Sequence, residues 1–119
     1  MLIRRLEDQE PFTTRDGSII RELLNVVHPP IRNQSLAEAT LPSGGSTERH
    51  YHRHSEEIYF VLDGTGVMEV DGEAAEVEPG DAVAIPPGAW HQIRATGTGS
   101  LRFLCCCAPP YTHEDTYFE

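Results

Sequence analysis

No lysine occurs anywhere in the 119 residues, and all nine basic side chains are arginine. That inventory excludes a Schiff-base lysine and the lysine of a phosphate-cradling P-loop. Nineteen acidic residues leave a net charge of -10, which repels phosphate backbones and anionic membranes, so neither nucleic acid nor a membrane surface is an expected partner. Long apolar runs are missing too, and no stretch approaches the roughly 20 residues of a membrane span. The opening Met1-Leu2-Ile3-Arg4-Arg5-Leu6-Glu7 lacks the apolar segment of a secretory signal, which makes the cytoplasm the expected location. Cysteine is confined to the consecutive Cys105, Cys106 and Cys107, an odd count without disulfide spacing. On a strand Cys105 and Cys107 would stand about 6.6 Å apart, at the edge of disulfide geometry. They read as free thiols, either packing a strand as small hydrophobes or doing soft-metal or redox work.

What is present points to β structure. Length and a hydrophobic content of 39% suit one domain, 1–119, with one core. Turn signals recur at short intervals, among them Asp16-Gly17, Asp63-Gly64, Asp71-Gly72, Pro79-Gly80-Asp81 and Pro86-Pro87-Gly88, the punctuation of an all-β sandwich or barrel. Eight strands are expected: 18–24, 36–41, 47–52, 57–62, 67–70, 82–85, 91–94 and 101–107. Segments 4–9 and 20–26 are candidates for a helical turn. Segment 1–43 supplies N-terminal strands. The tail 108–119 is too polar for a core strand and is expected to cap the barrel or lie on the surface. Ile58-Tyr59-Phe60-Val61-Leu62 is apolar on both faces, so N-terminal strands or a second subunit must cover its outer side, and a homodimer is the economical solution.

The chemistry concentrates in Glu48-Arg49-His50-Tyr51-His52-Arg53-His54-Ser55-Glu56-Glu57. On a strand His50 and His52 share one face and form a chelating pair. A turn at 53–55 lets Glu57 swing toward the same centre, and His91, after a Pro-Pro-Gly turn, can reach it from a neighbouring strand. Imidazoles with one carboxylate suit first-row divalent metals, and four protein ligands in an octahedral shell leave two positions open. Tyr59 shares parity with Glu57 and is a candidate general acid or base. Glu56 and Trp90 have the opposite parity to the ligands, His54 is expected at the rim, and His28 and His113 fall in a loop and the tail. Met68, Val70, Leu101, Phe103, Cys105 and Cys107 are core candidates. Arg49, Arg53 and Arg102 face away from the ligand positions, whereas Arg21 and Arg94 remain possible anion clamps.

The spacing resembles the cupin superfamily. Its first motif, Gly-x(5)-His-x-His-x(4)-Glu-x(6)-Gly, is matched by Gly44, His50, His52, Glu57 and Gly64. Its second, Gly-x(5)-Pro-x-Gly-x(2)-His-x(3)-Asn, is matched by Gly80, Pro86, Gly88 and His91, with Ala95 in place of the Asn. The motif core 44–95 is similar to the small single-domain "cupin 2" proteins. The resemblance implies a double-stranded β-helix, a jelly-roll barrel with a metal in its mouth. It implies His50, His52, Glu57 and His91 as ligands of a divalent transition metal: iron, manganese, nickel, cobalt, copper or zinc. A Tyr two residues after the ligand Glu is similar to some small cupin lyases in which that Tyr is the proposed base. Two functions stay open: a metal-dependent dioxygenase, isomerase or lyase acting on a small oxygenated or carboxylated molecule, and a non-catalytic small-molecule-binding or sensing protein.

Overall fold

A computed structural model describes residues 1–119. A 3-10 turn at Leu6–Asp8 precedes eleven strands: β1 (Phe12–Thr13), β2 (Ile19–Leu24), β3 (Ser35–Leu41), β4 (His50–His52), β5 (Glu56–Asp63), β6 (Gly66–Val70), β7 (Glu73–Val77), β8 (Ala82–Ile85), β9 (His91–Ala95), β10 (Leu101–Ala108) and β11 (Thr116–Phe118). They form two antiparallel sheets, ordered β1-β2-β3-β10-β5-β8 and β11-β4-β9-β6-β7. This is the expected all-β jelly-roll barrel. No helix is long and apolar enough to cross a membrane.

Alternation decides which side chains enter. Along β5, Glu57, Tyr59 and Val61 are buried while Glu56, Ile58 and Phe60 are exposed. The core between the sheets is built from Leu41, Tyr59, Val61, Met68, Ile85, Ile93, Leu101 and Phe103, with Val70 and Cys105 packed against it. The outer side of β5 is uncovered: Ile58 and Phe60 keep 45% and 39% of their surface exposed. The N-terminal strands do not supply the cover, because β1 and β2 extend the sheet beyond β3 instead of crossing over β5.

Four expectations are corrected. Segment 20–26 carries no helical turn, because Ile19 and Ile20 begin a strand that pairs with β3 and points Ile20 and Glu22 inward; in segment 4–9 only a short 3-10 turn forms. The strand expected at 47–52 is reduced to His50–His52, because Thr47 binds the opposite strand through its side chain as well as its backbone: its hydroxyl accepts from Ile93 N–H at 3.1 Å. Glu73–Val77 forms a strand that its Ala- and Glu-rich composition does not predict. The two-residue Asp71-Gly72 turn, with both φ values positive at 49° and 82°, folds it back onto β6. The tail, finally, adds β11 alongside β4, pairing Thr116 with His52 and Phe118 with His50.

Two glycines, Gly64 of the first motif and Gly66 just after it, have physical reasons. Gly64 turns the chain after β5 at φ +81°, and a Cβ there would run into the Ser100 carbonyl. Gly66 lies so close to β9 that a Cβ would sit 2.7 Å from the Arg94 carbonyl oxygen.

Candidate metal centre

The four expected residues meet between the sheets. His50 on β4 is directly opposite His91 on β9, His52 is two residues along the same strand face, and Glu57 reaches across from β5 in the other sheet. Ring nitrogens of His50, His52 and His91 lie within 4.8 Å of one another. Glu57 Oε1 is 3.2 Å from His52 Nε2 and 3.4 Å from His91 Nε2. All four residues are at least 96% buried.

Each imidazole is turned by a hydrogen bond on its far nitrogen. His50 Nδ1 is 2.7 Å from the Glu48 carbonyl, and His91 Nδ1 is 3.0 Å from the Ala89 carbonyl. A carbonyl can only accept, so Nδ1 carries the proton and a neutral ring presents its Nε2 lone pair to the centre. His52 follows the same logic: the Thr116 hydroxyl donates to the Thr112 carbonyl at 3.0 Å and is left to accept from His52 Nδ1 at 3.2 Å. The carboxylate is held as well. Cys107, paired with Glu57 across β10 and β5, donates its thiol to Glu57 Oε2 at 3.1 Å.

The result is a site of facing acceptors. Glu57 Oε1 and His91 Nε2 are sealed from solvent with no hydrogen-bond partner, a costly state for buried polar atoms. Only a positive centre between them, an extra proton or a metal ion, relieves it. Burial lowers the pKa of His50, and repulsion from a charged His91 lowers it further. Burial acts the same way on His52, but the Glu57 carboxylate beside its Nε2 outweighs it, and the pKa is raised. For Glu57, burial favours the neutral acid, yet the His52 and His91 imidazoles beside Oε1, which carry positive charge when protonated, outweigh it and hold the carboxyl well below its ordinary range. Three imidazole nitrogens and an ionised carboxylate fit a divalent transition ion.

A cavity of about 370 Å³ opens onto this centre. Tyr59 lines it, as expected, with its ring edge-on to His91 at 6.0 Å; burial, then the Glu57 charge, keeps its phenol protonated. Phe12, Ile20, Val26, Val27 and Phe103 supply apolar wall. Four carboxylates, from Asp16, Glu22, Glu57 and Glu114, border the cavity, and no arginine does. Arg21 and Arg94, the possible anion clamps, are therefore outside it. Cys105 and Cys107 line it as free thiols; burial, then the Glu57 charge, keeps both protonated.

His54 and Glu56 are exposed and away from the centre, His28 lies in a loop, and Trp90 belongs to an outer aromatic cluster, 4.7 Å from Tyr51 with Arg49 5.0 Å over its ring. The residues missed in the sequence hold the site from behind. Asp115 accepts from His54 N–H at 2.9 Å and Ser55 N–H at 3.0 Å, bracing the turn between His52 and Glu57. Its neighbour Thr116 orients His52, while Tyr111, Thr112, His113 and Glu114 rim the cavity. The β-prone Thr116-Tyr117-Phe118 was the available signal. Asp16, on the turn between β1 and β2, brings Oδ2 to 3.9 Å from His50 Nε2; only the folded hairpin places it there.

Residues 37–107 match the family model described as "Cupin domain". An uncharacterised protein of Methanocaldococcus jannaschii is 52% identical over 110 residues, covering 90% of this chain and 86% of that protein. The oxalate-binding protein of Thermotoga maritima is 37% identical over 69 residues, covering 58% of this chain and only 57% of its relative. Among solved structures, the polyketide cyclase RemF of Streptomyces resistomycificus superposes with a TM-score of 0.79 at 26% identity, covering 97% of this chain and 89% of that one. With both histidine motifs and the barrel in place, this chain belongs to the cupin domain family.

Proposed function

We propose that the protein is a metal-dependent enzyme, a lyase, isomerase or dioxygenase, whose substrate is a small oxygen-bearing molecule without a separate anionic group. The observation that carries the proposal is the pair of buried, unpartnered acceptors, Glu57 Oε1 and His91 Nε2, at a cavity with room for a small molecule. His50, His52, His91 and Glu57 would hold the ion, which supplies Lewis acidity and, when iron, manganese or copper, electrons for dioxygen. The protein contributes the rest. Three imidazoles already turned toward the centre and an ionised carboxylate stand ready, apolar walls exclude water, and the Tyr59 phenol is placed to hydrogen-bond the substrate. The carboxylate-bordered, arginine-free cavity disfavours phosphorylated or sulfated molecules. It also narrows the expected carboxylated substrates to those whose carboxylate reaches the metal itself.

The polyketide cyclase relative favours an enzyme of this fold, and the oxalate-binding relative favours a second reading, a binder that returns its ligand unchanged. Metal-loaded protein incubated with uncharged hydroxylated and phenolic compounds, followed by an oxygen electrode and product mass spectrometry, separates them. Turnover of at least one such compound is expected; saturable binding with every ligand recovered intact would favour the binder. Tyr59→Phe should retain the metal and lose turnover, and full turnover would remove Tyr59 from the chemistry. A second copy of the chain is the proposed cover for Ile58 and Phe60. Light scattering at micromolar concentration should give a dimer mass, and a monomer would contradict this.

A further inference from the structure

Asp16 is fixed with unusual completeness for a turn residue. Its Oδ1 accepts from the Thr14 hydroxyl at 2.6 Å, the Ser18 N–H at 2.9 Å and the Ser18 hydroxyl at 2.6 Å. Those bonds set the carboxylate plane and leave Oδ2 outside all three. Oδ2 points to His50 Nε2 at 3.9 Å, and Asp16 borders the cavity together with His50, His52 and Glu57. One residue locks both partners: Glu48 donates its N–H to the Asp16 carbonyl at 2.7 Å and accepts from His50 Nδ1 at 2.7 Å. Because His50 Nδ1 is the donor, the Nε2 that faces Oδ2 is a second acceptor, the same opposition seen between Glu57 and its two histidines. Two atoms each about 2.1 Å from one ion are about 3.0 Å apart at a right angle and about 4.2 Å apart when opposite. The observed 3.9 Å falls within that span.

We propose that Asp16 is a fifth ligand of the centre, giving three imidazoles and two carboxylates. This rests on reading the centre as a metal site and adds to the ligand set implied by the cupin motifs. Two carboxylates match the charge of a divalent ion and favour oxygen-preferring metals such as manganese(II) over copper(II) or zinc. In a six-coordinate shell one position then remains for substrate.

The test is Mn(II) binding to the metal-stripped full chain, read from the paramagnetic resonance of free Mn(II). Asp16→Asn keeps an oxygen for the Thr14 and Ser18 donors and removes only the carboxylate charge and the Oδ2 ligand. Ser18→Ala loosens the same turn and keeps Oδ2. Wild-type protein is expected to bind one Mn(II) per chain, Asp16→Asn at least tenfold more weakly, and Ser18→Ala within threefold of wild type, with the metal-free melting temperature of Asp16→Asn unchanged. Asp16→Asn binding as tightly as wild type would overturn the proposal, as would an equal loss in Ser18→Ala, which would make Asp16 a turn anchor. Wild-type protein that refuses Mn(II) removes the fifth ligand, and refusal of Co(II) and Zn(II) as well removes the metal reading beneath it.

Discussion

Cys107 is the side chain on which the aim of Glu57 depends, and truncating it is the most informative perturbation of the protein without metal. The thiol donates to Glu57 Oε2 at 3.1 Å and is 2% exposed. Cys107→Ala leaves a buried carboxylate oxygen without its donor. Hydrogen bonds to charged groups contribute about 1.5–3 kcal/mol; a thiol is a weak donor, so about 1 kcal/mol is the reasonable share. Loss of the sulfur's packing adds about 1 kcal/mol, close to the value of one buried methylene. The sum, about 2 kcal/mol, corresponds to a fall of roughly 8 °C in melting temperature for a chain of this size. Because Oε2 fixes where Oε1 points, metal affinity should also fall, by the 10–100-fold typical when a ligand loses its supporting partner. Cys107→Ser keeps a donor and should recover most of both losses. Thermal melts of metal-free protein and competition titration against a chromophoric chelator read the two quantities. If Cys107→Ala matches wild type in both, or Cys107→Ser is as damaged as Cys107→Ala, the thiol does not position the carboxylate.

Three more outcomes are expected. Gly64→Ala forces a residue with a Cβ to φ +81° and onto the Ser100 carbonyl; the left-handed backbone costs about 1–2 kcal/mol and the overlap about as much again. Gly72→Ala, at φ +82° with open space around it, should cost only the first of these, and equal melting temperatures for the two variants would refute the close-approach argument. Asp115→Ala strips the acceptor from the His54 and Ser55 N–H groups and should lower stability by about 2 kcal/mol, measured by urea denaturation; an unchanged midpoint would contradict the bracing role of the tail. Finally, metal binding must displace the proton from His52. Its pKa is raised from 6.5, so the stability this group gives the metal-free protein is present below pH 6.5 and is lost as pH rises through the folded value. Metal affinity should climb over that same window. Glu57, held below its ordinary 4.5, stays ionised there, and the stability it contributes is lost only in acid below about that value. Calorimetry at pH 6.5 in two buffers of different protonation enthalpy should detect proton release on metal binding, and its absence would refute the assignment.

The parts of this architecture legible in the sequence are those set by spacing. Period-two alternation places His50 beside His52 and Tyr59 beside Glu57, and the Asp63-Gly64 turn marks where β5 stops. The supporting contacts are invisible to that logic because they join residues far apart in the chain. Thr116 and Asp115 support His52 and its turn from a tail whose polarity suggested solvent, and a polar strand can be buried once its side chains find partners. Asp16 lies in a turn legible as a turn, yet its meeting with His50 depends on Glu48 tying the hairpin down. The thiol of Cys107 was legible as inward-facing, but its carboxylate partner follows only from the β5 and β10 register. The uncovered Ile58 and Phe60 were legible as an apolar outer face; that the N-terminal strands extend the sheet instead of covering it follows from topology alone.

The proposed function requires a metal centre of His50, His52, His91 and Glu57. Elemental analysis of untagged wild-type protein beside His52→Ala tests it most directly, because the substitution removes one nitrogen and leaves the other three groups in place. Wild-type protein should carry close to one transition-metal ion per chain, and His52→Ala, still folded by circular dichroism, should carry little or none. Wild-type protein that holds no metal and takes up none when it is added would contradict the account.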